Sequence, residues 1–228
     1  MSELREEIRR HFDAIAPRYD EYKRHSNYYY DQLKKLYKDL AGENPGAVLE
    51  IGCGTGDIIA ALAPRRGLGI DLSEGMIVLA RGKHAGAAHL EFQVGEAERL
   101  DIEERFDLII MPDVVEHLYD VGEAFRSALR HLAPGGRLIV SLANHRWEPV
   151  LQLLEKAGHK MPEGPHSWLD DQRLSRLFSK TGILVAEQGY RCLIPARVPM
   201  ADRINARFHK VPLLRGLGLI RFFVCIPA

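Results

Sequence analysis

One segment joins a short apolar run directly to alternating glycines, and it reads Val48-Leu49-Glu50-Ile51-Gly52-Cys53-Gly54-Thr55-Gly56-Asp57. The apolar run predicts a buried strand, and the residues after Gly56 predict a helix. Glycines allow the tight turn between them and let a ligand lie against the backbone, which a Cβ atom would obstruct. A second predicted strand ends in Asp71, where a carboxylate can accept hydrogen bonds from ribose hydroxyls. Together these features predict a nucleoside site.

Strand and helix patterns alternate on both sides of this segment. Further strands are predicted at residues 67–72, 90–94, 106–111 and 137–142, and helices at 58–63, 76–84 and 121–131. The alternation predicts parallel strands with right-handed crossovers, and Pro134-Gly135-Gly136 predicts the turn before the fifth strand. The last two strands, 183–192 and 219–226, predict an antiparallel hairpin, because the connection between them has no clear crossover helix. The predicted fold is α/β, with a Rossmann-like, mostly parallel seven-stranded sheet and helices on both faces.

Composition narrows the function. Lys plus Arg and Asp plus Glu both number 31, so no overall field attracts the chain to nucleic acid. The three cysteines have no C-x-x-C spacing, which argues against a disulfide framework and against a structural zinc site; we predict no metal. The N-terminus is charged, and no run of about 18 uncharged apolar residues occurs. A cytoplasmic protein is therefore expected.

The spacing of the glycines separates classes of nucleoside. Dinucleotide-binding proteins carry G-x-G-x-x-G and hold a pyrophosphate at the helix N-terminus. Here the third glycine comes one residue early and is followed by Asp57, whose charge would repel a pyrophosphate. A cationic sulfonium nucleoside would tolerate that charge. No G-x-x-x-x-G-K-[ST] loop is present to support hydrolysis of ATP.

Residues 48–56 resemble motif I of class I S-adenosylmethionine-dependent methyltransferases, especially the ubiquinone/menaquinone-biosynthesis-like, type 11 branch. The resemblance extends over about Phe12 to Leu142. Residues 69–76 resemble the family's second motif, and residues 95–98 resemble its adenine-contacting loop. Residues 106–118 resemble its fourth strand and the following loop, and residues 132–138 resemble the turn into its fifth strand. It implies one domain at 1–228, with an N-terminal helical cap at 1–40, a cofactor-binding core at 41–145, and an acceptor-side and C-terminal segment at 146–228. We expect two helices in the cap, separated near Pro17.

The resemblance also implies a binding site for S-adenosyl-L-methionine. The expected contacts are Tyr19, Tyr29, Glu50, Gly52, Cys53, Gly54, Gly56, Asp71, Leu72, Met76, Glu96, Ala97 and Asp113. The glycines would line the methionine part of the cofactor, and Asp71 would hold the ribose hydroxyls. Glu96 would contact the adenine edge, at a position where the family more often has Asp. Tyrosine rings such as Tyr29 could contact the sulfonium by cation–π interaction or could simply pack the cap.

Several polar side chains follow the fourth and fifth strands, where open α/β folds bind their ligands. His117 is the candidate general base, because an imidazole has an ordinary pKa of about 6.5; its alternative role is to shape the loop. His145, Trp147, His166 and Trp168 are candidate contacts with the acceptor, and surface turns are the alternative.

The C-terminal segment is locally basic. From Arg191 onward it holds seven Lys or Arg residues and a single acid, Asp202, interleaved with apolar side chains. This mixture suits peripheral contact with an anionic membrane or a phosphate-bearing acceptor, and a solvated loop over the sheet edge is the alternative.

The sequence thus predicts methyl transfer to an oxygen, carbon or nitrogen nucleophile of a small-molecule or lipid-linked acceptor. Two rivals stay open. One is a catalytically silent domain that binds S-adenosylmethionine as a sensor or scaffold. The other is a nicotinamide-dependent oxidoreductase, which the glycine spacing disfavours. Nothing in the sequence predicts the oligomeric state.

Overall fold

The computed structural model describes residues 3–157, 161–162 and 164–228. Met1 and Ser2 of the predicted cap, and residues 158–160 and 163 of the predicted acceptor-side segment, lie outside these described residues. The helices are α1 Glu3–Ile15, α2 Tyr19–His25, α3 Asn27–Ala41, α4 Asp57–Leu62, α5 Glu74–Lys83, α6 Val121–Arg130, α7 Glu148–Lys156, α8 Asp171–Thr181 and α9 Ala201–Asn205. The strands are β1 Ala47–Ile51, β2 Arg66–Asp71, β3 Leu90–Val94, β4 Phe106–Pro112, β5 Leu132–Ala143, β6 Ile183–Arg191 and β7 Ile220–Pro227.

All seven strands form one sheet in the order β3-β2-β1-β4-β5-β7-β6. Neighbouring strands from β3 to β5 are parallel, whereas β7 is antiparallel to both β5 and β6. The strand order reverses between β1 and β4, and ligands of open α/β sheets bind at such a reversal. The predicted Rossmann-like sheet with an antiparallel C-terminal hairpin is confirmed.

Helices cover both faces of the sheet. Side chains that alternate along a strand therefore pack into two separate cores, one on each face. Val48 packs among side chains of α3, α4 and α5. Its neighbours Leu49 and Ile51 pack against the opposite cluster, which includes Phe125 of α6 and Phe178 of α8. β1 is therefore buried on both sides, as expected of a central parallel strand.

The N-terminal region and the start of β5 differ from the sequence expectation. Residues 3–41 form three helices rather than two, because Ser26 leaves helical geometry with φ −111° and ψ 28° and separates α2 from α3. β5 begins at Leu132, so Pro134-Gly135-Gly136 lies inside the strand rather than before it. There the pairing with β4 jumps from Phe106 opposite Leu132 to Leu108 opposite Arg137. Residues 133–136 of β5 thus lie opposite the single residue Asp107 of β4, and the predicted turn residues form a bulge in the strand.

No helix in the described part of the chain is long and apolar enough to cross a bilayer. The connection between β6 and β7 contains α9, which is only five residues long, and short 3-10 turns. This agrees with the expectation that no crossover helix joins these strands.

Candidate active site

A cavity of about 410 Å³ lies at the carboxyl ends of the central strands. Its floor is formed where β1, β2 and β4 end, and helices α1, α2 and α3 contribute side chains from above. All predicted cofactor contacts except Gly56 line this cavity. The sequence therefore identified residues that the fold brings together from widely separated positions.

The glycine turn after β1 has left-handed backbone geometry at Gly52, Gly54 and Gly56, with φ of +73°, +51° and +77°. A side chain at any of these positions would be strained. At Gly52 a Cβ atom would also overlap Val114, and at Gly56 it would lie 2.6 Å from the Phe92 ring. Gly56 thus faces the protein core rather than the cavity, which explains why it is outside the lining.

Asp71 joins the end of β2 to this turn. Its carboxylate accepts hydrogen bonds from the Gly54 N–H at 2.8 Å and from the Ser73 N–H at 2.9 Å. Burial raises the pKa of the Asp71 carboxyl, and these two N–H donors oppose the rise. Each carboxylate oxygen can accept more than one hydrogen bond, so capacity remains for ligand hydroxyls.

Two other predicted contacts carry no charge at neutral pH. Burial raises the pKa of Glu50 to about 8, and its Oε2 accepts a hydrogen bond from the Ile59 N–H at 2.9 Å. Burial also raises the pKa of the Cys53 thiol well above its ordinary value. A thiolate is the reactive form of cysteine, and a raised pKa keeps the thiol protonated. Cys53 therefore lines the cavity and does not act as a nucleophile.

At the end of β4, Asp113 is held in an unusual conformation with φ +48°. The Tyr29 hydroxyl donates a hydrogen bond to one of its carboxylate oxygens, and the Ser141 hydroxyl donates to the other at 2.7 Å. Burial, followed by the charge of Asp113, raises the pKa of the Tyr29 phenol, so it stays a donor. Both side chains line the cavity, and these bonds fix the direction in which the carboxylate points.

Lys23 of α2 is a residue of this site that the sequence did not indicate. Its ammonium lies 2.6 Å from Asp57 and 5.1 Å from the ring centroids of Tyr19 and Tyr30. Lys83 lies 2.7 Å from the other Asp57 oxygen. Although burial alone would raise it, the two lysines hold the pKa of the Asp57 carboxyl below its usual range.

These pairs correct one step of the sequence argument. The Asp57 charge is balanced by lysines, so repulsion of a pyrophosphate by Asp57 is weaker than its position at a helix start suggests. A dinucleotide is then disfavoured by the glycine spacing. Lys23 also faces the ring of Tyr19, one of the expected cofactor contacts.

The N-terminal helices are tied to the cavity rim by polar contacts. Arg5 of α1 forms an ion pair with Glu96 at 3.0 Å. Further along α1, Asp13 accepts hydrogen bonds from the Ser73 hydroxyl at 2.6 Å and the Gly75 N–H at 3.1 Å. The cap therefore contacts two of the loops that line the cavity.

On the acceptor side, His117 and Trp147 line the cavity, whereas His145, His166 and Trp168 are outside the lining. The His117 ring packs edge-on against Phe12 of α1 and against His166, which in turn contacts Trp168. His166 and Trp168 thus stand behind His117. Roles for these residues in catalysis or in acceptor binding stay predictions.

Among the described residues, no group of three or more His, Cys, Asp or Glu side chains is arranged to hold a metal ion.

Comparison with known families places this site in context. Residues 22–188, more than half of the chain, match the model of a family described as a methyltransferase domain. The chain belongs to this family. A ubiquinone biosynthesis O-methyltransferase from Nitrobacter winogradskyi is 33% identical over 170 residues, which cover 70% of this chain and 63% of the relative. The chain thus spans less than two thirds of that relative's length.

Solved structures from other methyltransferases have the same fold as this family member. A chain from the complex of the Haloferax volcanii Trm112 methyltransferase activator with a proposed methyltransferase superposes with a TM-score of 0.74 at 21% identity, covering 95% of this chain and 97% of that one. A SAM-dependent methyltransferase from Thermotoga maritima has a TM-score of 0.71 at 20% identity, covering 96% and 98%. At these sequence identities, the similarity shows a shared fold and nothing further about function.

Proposed function

We propose that the protein transfers the methyl group of S-adenosylmethionine to an oxygen, carbon or nitrogen nucleophile of a small-molecule or lipid-linked acceptor. The observation that carries this proposal is the convergence of the glycine turn, Asp71 and the loop at Glu96 on one cavity in a member of the methyltransferase-domain family. The ubiquinone-biosynthesis relative supports including quinone-like phenols among the acceptors.

The residues of the cavity suit a cationic nucleoside. Its volume of about 410 Å³ falls within the range of ordinary ligand sites, roughly 300–1,000 Å³. Asp71 and Asp113 supply carboxylates, and Leu72 and Met76 supply apolar contacts for a base. Asp71 would hold the ribose hydroxyls, and Glu96 with Ala97 would contact the adenine edge.

When bound, the cofactor supplies an electrophilic methyl group on a positively charged sulfur. The protein's part is to align the acceptor nucleophile with that group and to exclude water, since alignment alone can supply much of a rate enhancement. Phe12, Tyr22 and Trp147 contribute aromatic rings to the cavity lining. His117 lines the same cavity and is the proposed base for acceptors that must lose a proton.

The test of the cofactor assignment is a calorimetric titration with S-adenosylmethionine and S-adenosylhomocysteine. We expect micromolar or tighter binding, about −8 kcal/mol or better. Asp71→Asn should weaken it about tenfold or more, because the amide carries no charge and replaces one acceptor oxygen by a donor, so a charged hydrogen bond to the ribose is lost. Asp101→Asn, at an exposed position, is the matched control. Equal affinity of the wild-type protein and Asp71→Asn would exclude the ribose role, and a folded protein that binds neither ligand would exclude the proposed function.

A second experiment distinguishes an enzyme from a catalytically silent binding domain. It measures the transfer of a labelled methyl group to small phenols, quinone-like compounds and lipid-linked acceptors. Product formation with any acceptor class supports the proposal. Tight cofactor binding with no transfer to any of them favours the catalytically silent sensor or scaffold.

A further inference from the structure

The surface formed by the connection between β6 and β7 and by helix α7 is unusually apolar. We call it the docking face and define it by residues 193–218 and 148–156. Its exposed apolar side chains are Val150, Leu153, Leu154, Val198, Met200, Ile204, Val211, Leu213, Leu214 and Leu217. Leu213 is 91% exposed and Leu153 is 67% exposed. Single exposed apolar residues are ordinary, but a concentration of this kind marks an interaction surface.

Hydrogen bonds join the residues just before α7 to the end of the connection. The Trp147 indole N–H, directly before α7, donates to the Leu217 carbonyl at 2.8 Å. The Asn144 side-chain amide donates to the carbonyls of Gly216 at 3.1 Å and Gly218 at 2.8 Å. The start of α7 is therefore held against the end of the connection.

The connection is an ordered part of the fold. Asn205 exchanges hydrogen bonds with the Ile194 backbone in both directions, at 2.9 Å each, and donates to the Tyr28 hydroxyl at 3.0 Å. The Tyr28 hydroxyl donates to Asp202 at 2.8 Å. A freely solvated loop has no need of such anchors, which tie α9 to the start of the connection and to α3.

The docking face carries excess positive charge. Residues 193–218 contain Arg197, Arg203, Arg207, Lys210 and Arg215 against the single acid Asp202, and residues 148–156 add Lys156 against Glu148 and Glu155, so six basic residues face three acidic ones. Arg197 pairs with Asp31, whereas the other four basic residues of the connection form no ion pair with a carboxylate in the described ranges. Two basic residues counted in the sequence do not belong here, because Arg191 and Arg221 lie over aromatic rings in the hairpin.

The docking face borders the cavity. Trp147 and Leu154 line the cavity, and Leu154 is also exposed, so it lies at the rim. Pro195, near the start of the connection, lines the cavity from the other part of the face. Residues 193–218 lie outside the segment matched by the family model, whereas α7 lies inside it.

We propose that the docking face binds an anionic lipid surface and turns the cavity mouth toward it. Exposed leucines would enter the interfacial region, and the four unpaired basic side chains would meet lipid headgroups. A second copy of the chain is a poorer occupant, since a symmetric contact would bring like charges together. That an acceptor then enters from the lipid rests on the proposed function, whereas the docking itself does not.

The test is sedimentation of the protein with phosphatidylcholine vesicles prepared with and without phosphatidylglycerol, in the absence of cofactor and acceptor. We expect binding to the anionic vesicles, weaker binding to the neutral ones, and loss of binding at high salt. Leu213→Asp should weaken binding about tenfold. Lys210→Glu should weaken it at least about fivefold.

Two matched variants lie far from the docking face. Val78→Asp changes an exposed apolar residue of α5, which packs on the opposite edge strand β3. Arg65→Glu reverses an exposed charge just before β2, at the end of the sheet remote from the cavity. Neither should alter sedimentation, and circular dichroism should show the same fold for all four variants.

Three results would overturn the proposal: no binding of the wild-type protein to anionic vesicles, equal binding to neutral ones, or equal loss in Val78→Asp and Leu213→Asp. Light scattering that shows a dimer dissociated by Leu213→Asp, without vesicle binding, would assign the face to a contact between copies and also overturn it. Calorimetry with S-adenosylmethionine on the same samples keeps the questions separate. A protein that binds anionic vesicles but no cofactor would contradict only the proposed function.

Discussion

Glu50 illustrates how a charged residue type can act as a neutral one. Its side chain is 2% exposed, and burial raises its pKa to about 8. In the folded protein the carboxyl keeps its proton at neutral pH, whereas in the unfolded chain it ionises near its ordinary value of 4.5. Between these two values the folded state binds more protons than the unfolded state. The free energy of unfolding must therefore fall as pH rises through this window.

We predict that Glu50→Gln removes this pH dependence. Glutamine keeps a carbonyl oxygen for the Ile59 N–H and cannot ionise. In urea unfolding from about pH 5 to pH 8, the free energy of unfolding of the variant should rise relative to that of the wild-type protein. The difference should grow by up to about 1.4 kcal/mol per pH unit. Glu43→Gln, at an exposed position, is the control. Parallel pH curves for the wild-type protein and Glu50→Gln would contradict a buried neutral carboxyl.

Single residues also show where prediction from sequence stops. Asp71 was predictable because its distance from the glycine turn is set by one strand–helix–strand unit, and such local spacing is visible in the sequence. Lys23 was not predictable, since its pairing with Asp57 joins residues 34 positions apart in different parts of the fold. Gly56 belongs to the predicted glycine turn but packs against the core, where the Phe92 ring fills the space beside it. The sequence alone does not reveal this contact.

Helices and strands were predicted best where their patterns are periodic and uninterrupted. The parallel strands were predicted to within one residue at each end except for the start of β5, since buried strands give continuous apolar runs. The cap was misjudged because a single residue, Ser26, separates α2 from α3, and such a short break leaves the pattern of apolar residues almost unchanged. The hairpin was predicted, but the contacts that hold it were not.

Arg221 of β7 is the main polar contact of that hairpin. Its guanidinium lies between two rings, 4.3 Å from the Tyr190 centroid and 4.5 Å from the Phe223 centroid. It donates hydrogen bonds to Gln188 of β6 at 2.7 Å and to Asp171 of α8 at 3.3 Å. One side chain thus joins both strands of the hairpin to the helix behind them.

Arg221→Ala should lower the free energy of unfolding by about 2 kcal/mol, because stacking and charged hydrogen bonds are lost together. Lysine at this position should not restore the full stability, since an ammonium lacks the planar fork that stacks and donates to two partners. Arg173→Ala, on the exposed side of α8, is the control and should change little. Equal chemical denaturation midpoints for Arg221→Ala and Arg173→Ala would show that Arg221 contributes nothing specific.

The molecule as a whole encloses its cavity with distant parts of the chain. Arg5 near the N-terminus, the central strand ends and Leu219 before the last strand all contribute to one lining. An unfolded chain cannot assemble such a site, so a ligand that fits it binds only the folded state. Ligand binding and the stability of the entire fold are therefore linked.

We predict that S-adenosylhomocysteine at about one hundred times its Kd adds about 2.7 kcal/mol to the free energy of unfolding. For a chain of this size, this corresponds to a rise in Tm of roughly 5–10 °C in a thermal melt. NADH at the same concentration should leave Tm unchanged, because the third glycine of the turn comes one residue too early for a dinucleotide fingerprint. A larger shift with NADH would instead favour the oxidoreductase and would mean that the glycine spacing misidentified the nucleoside.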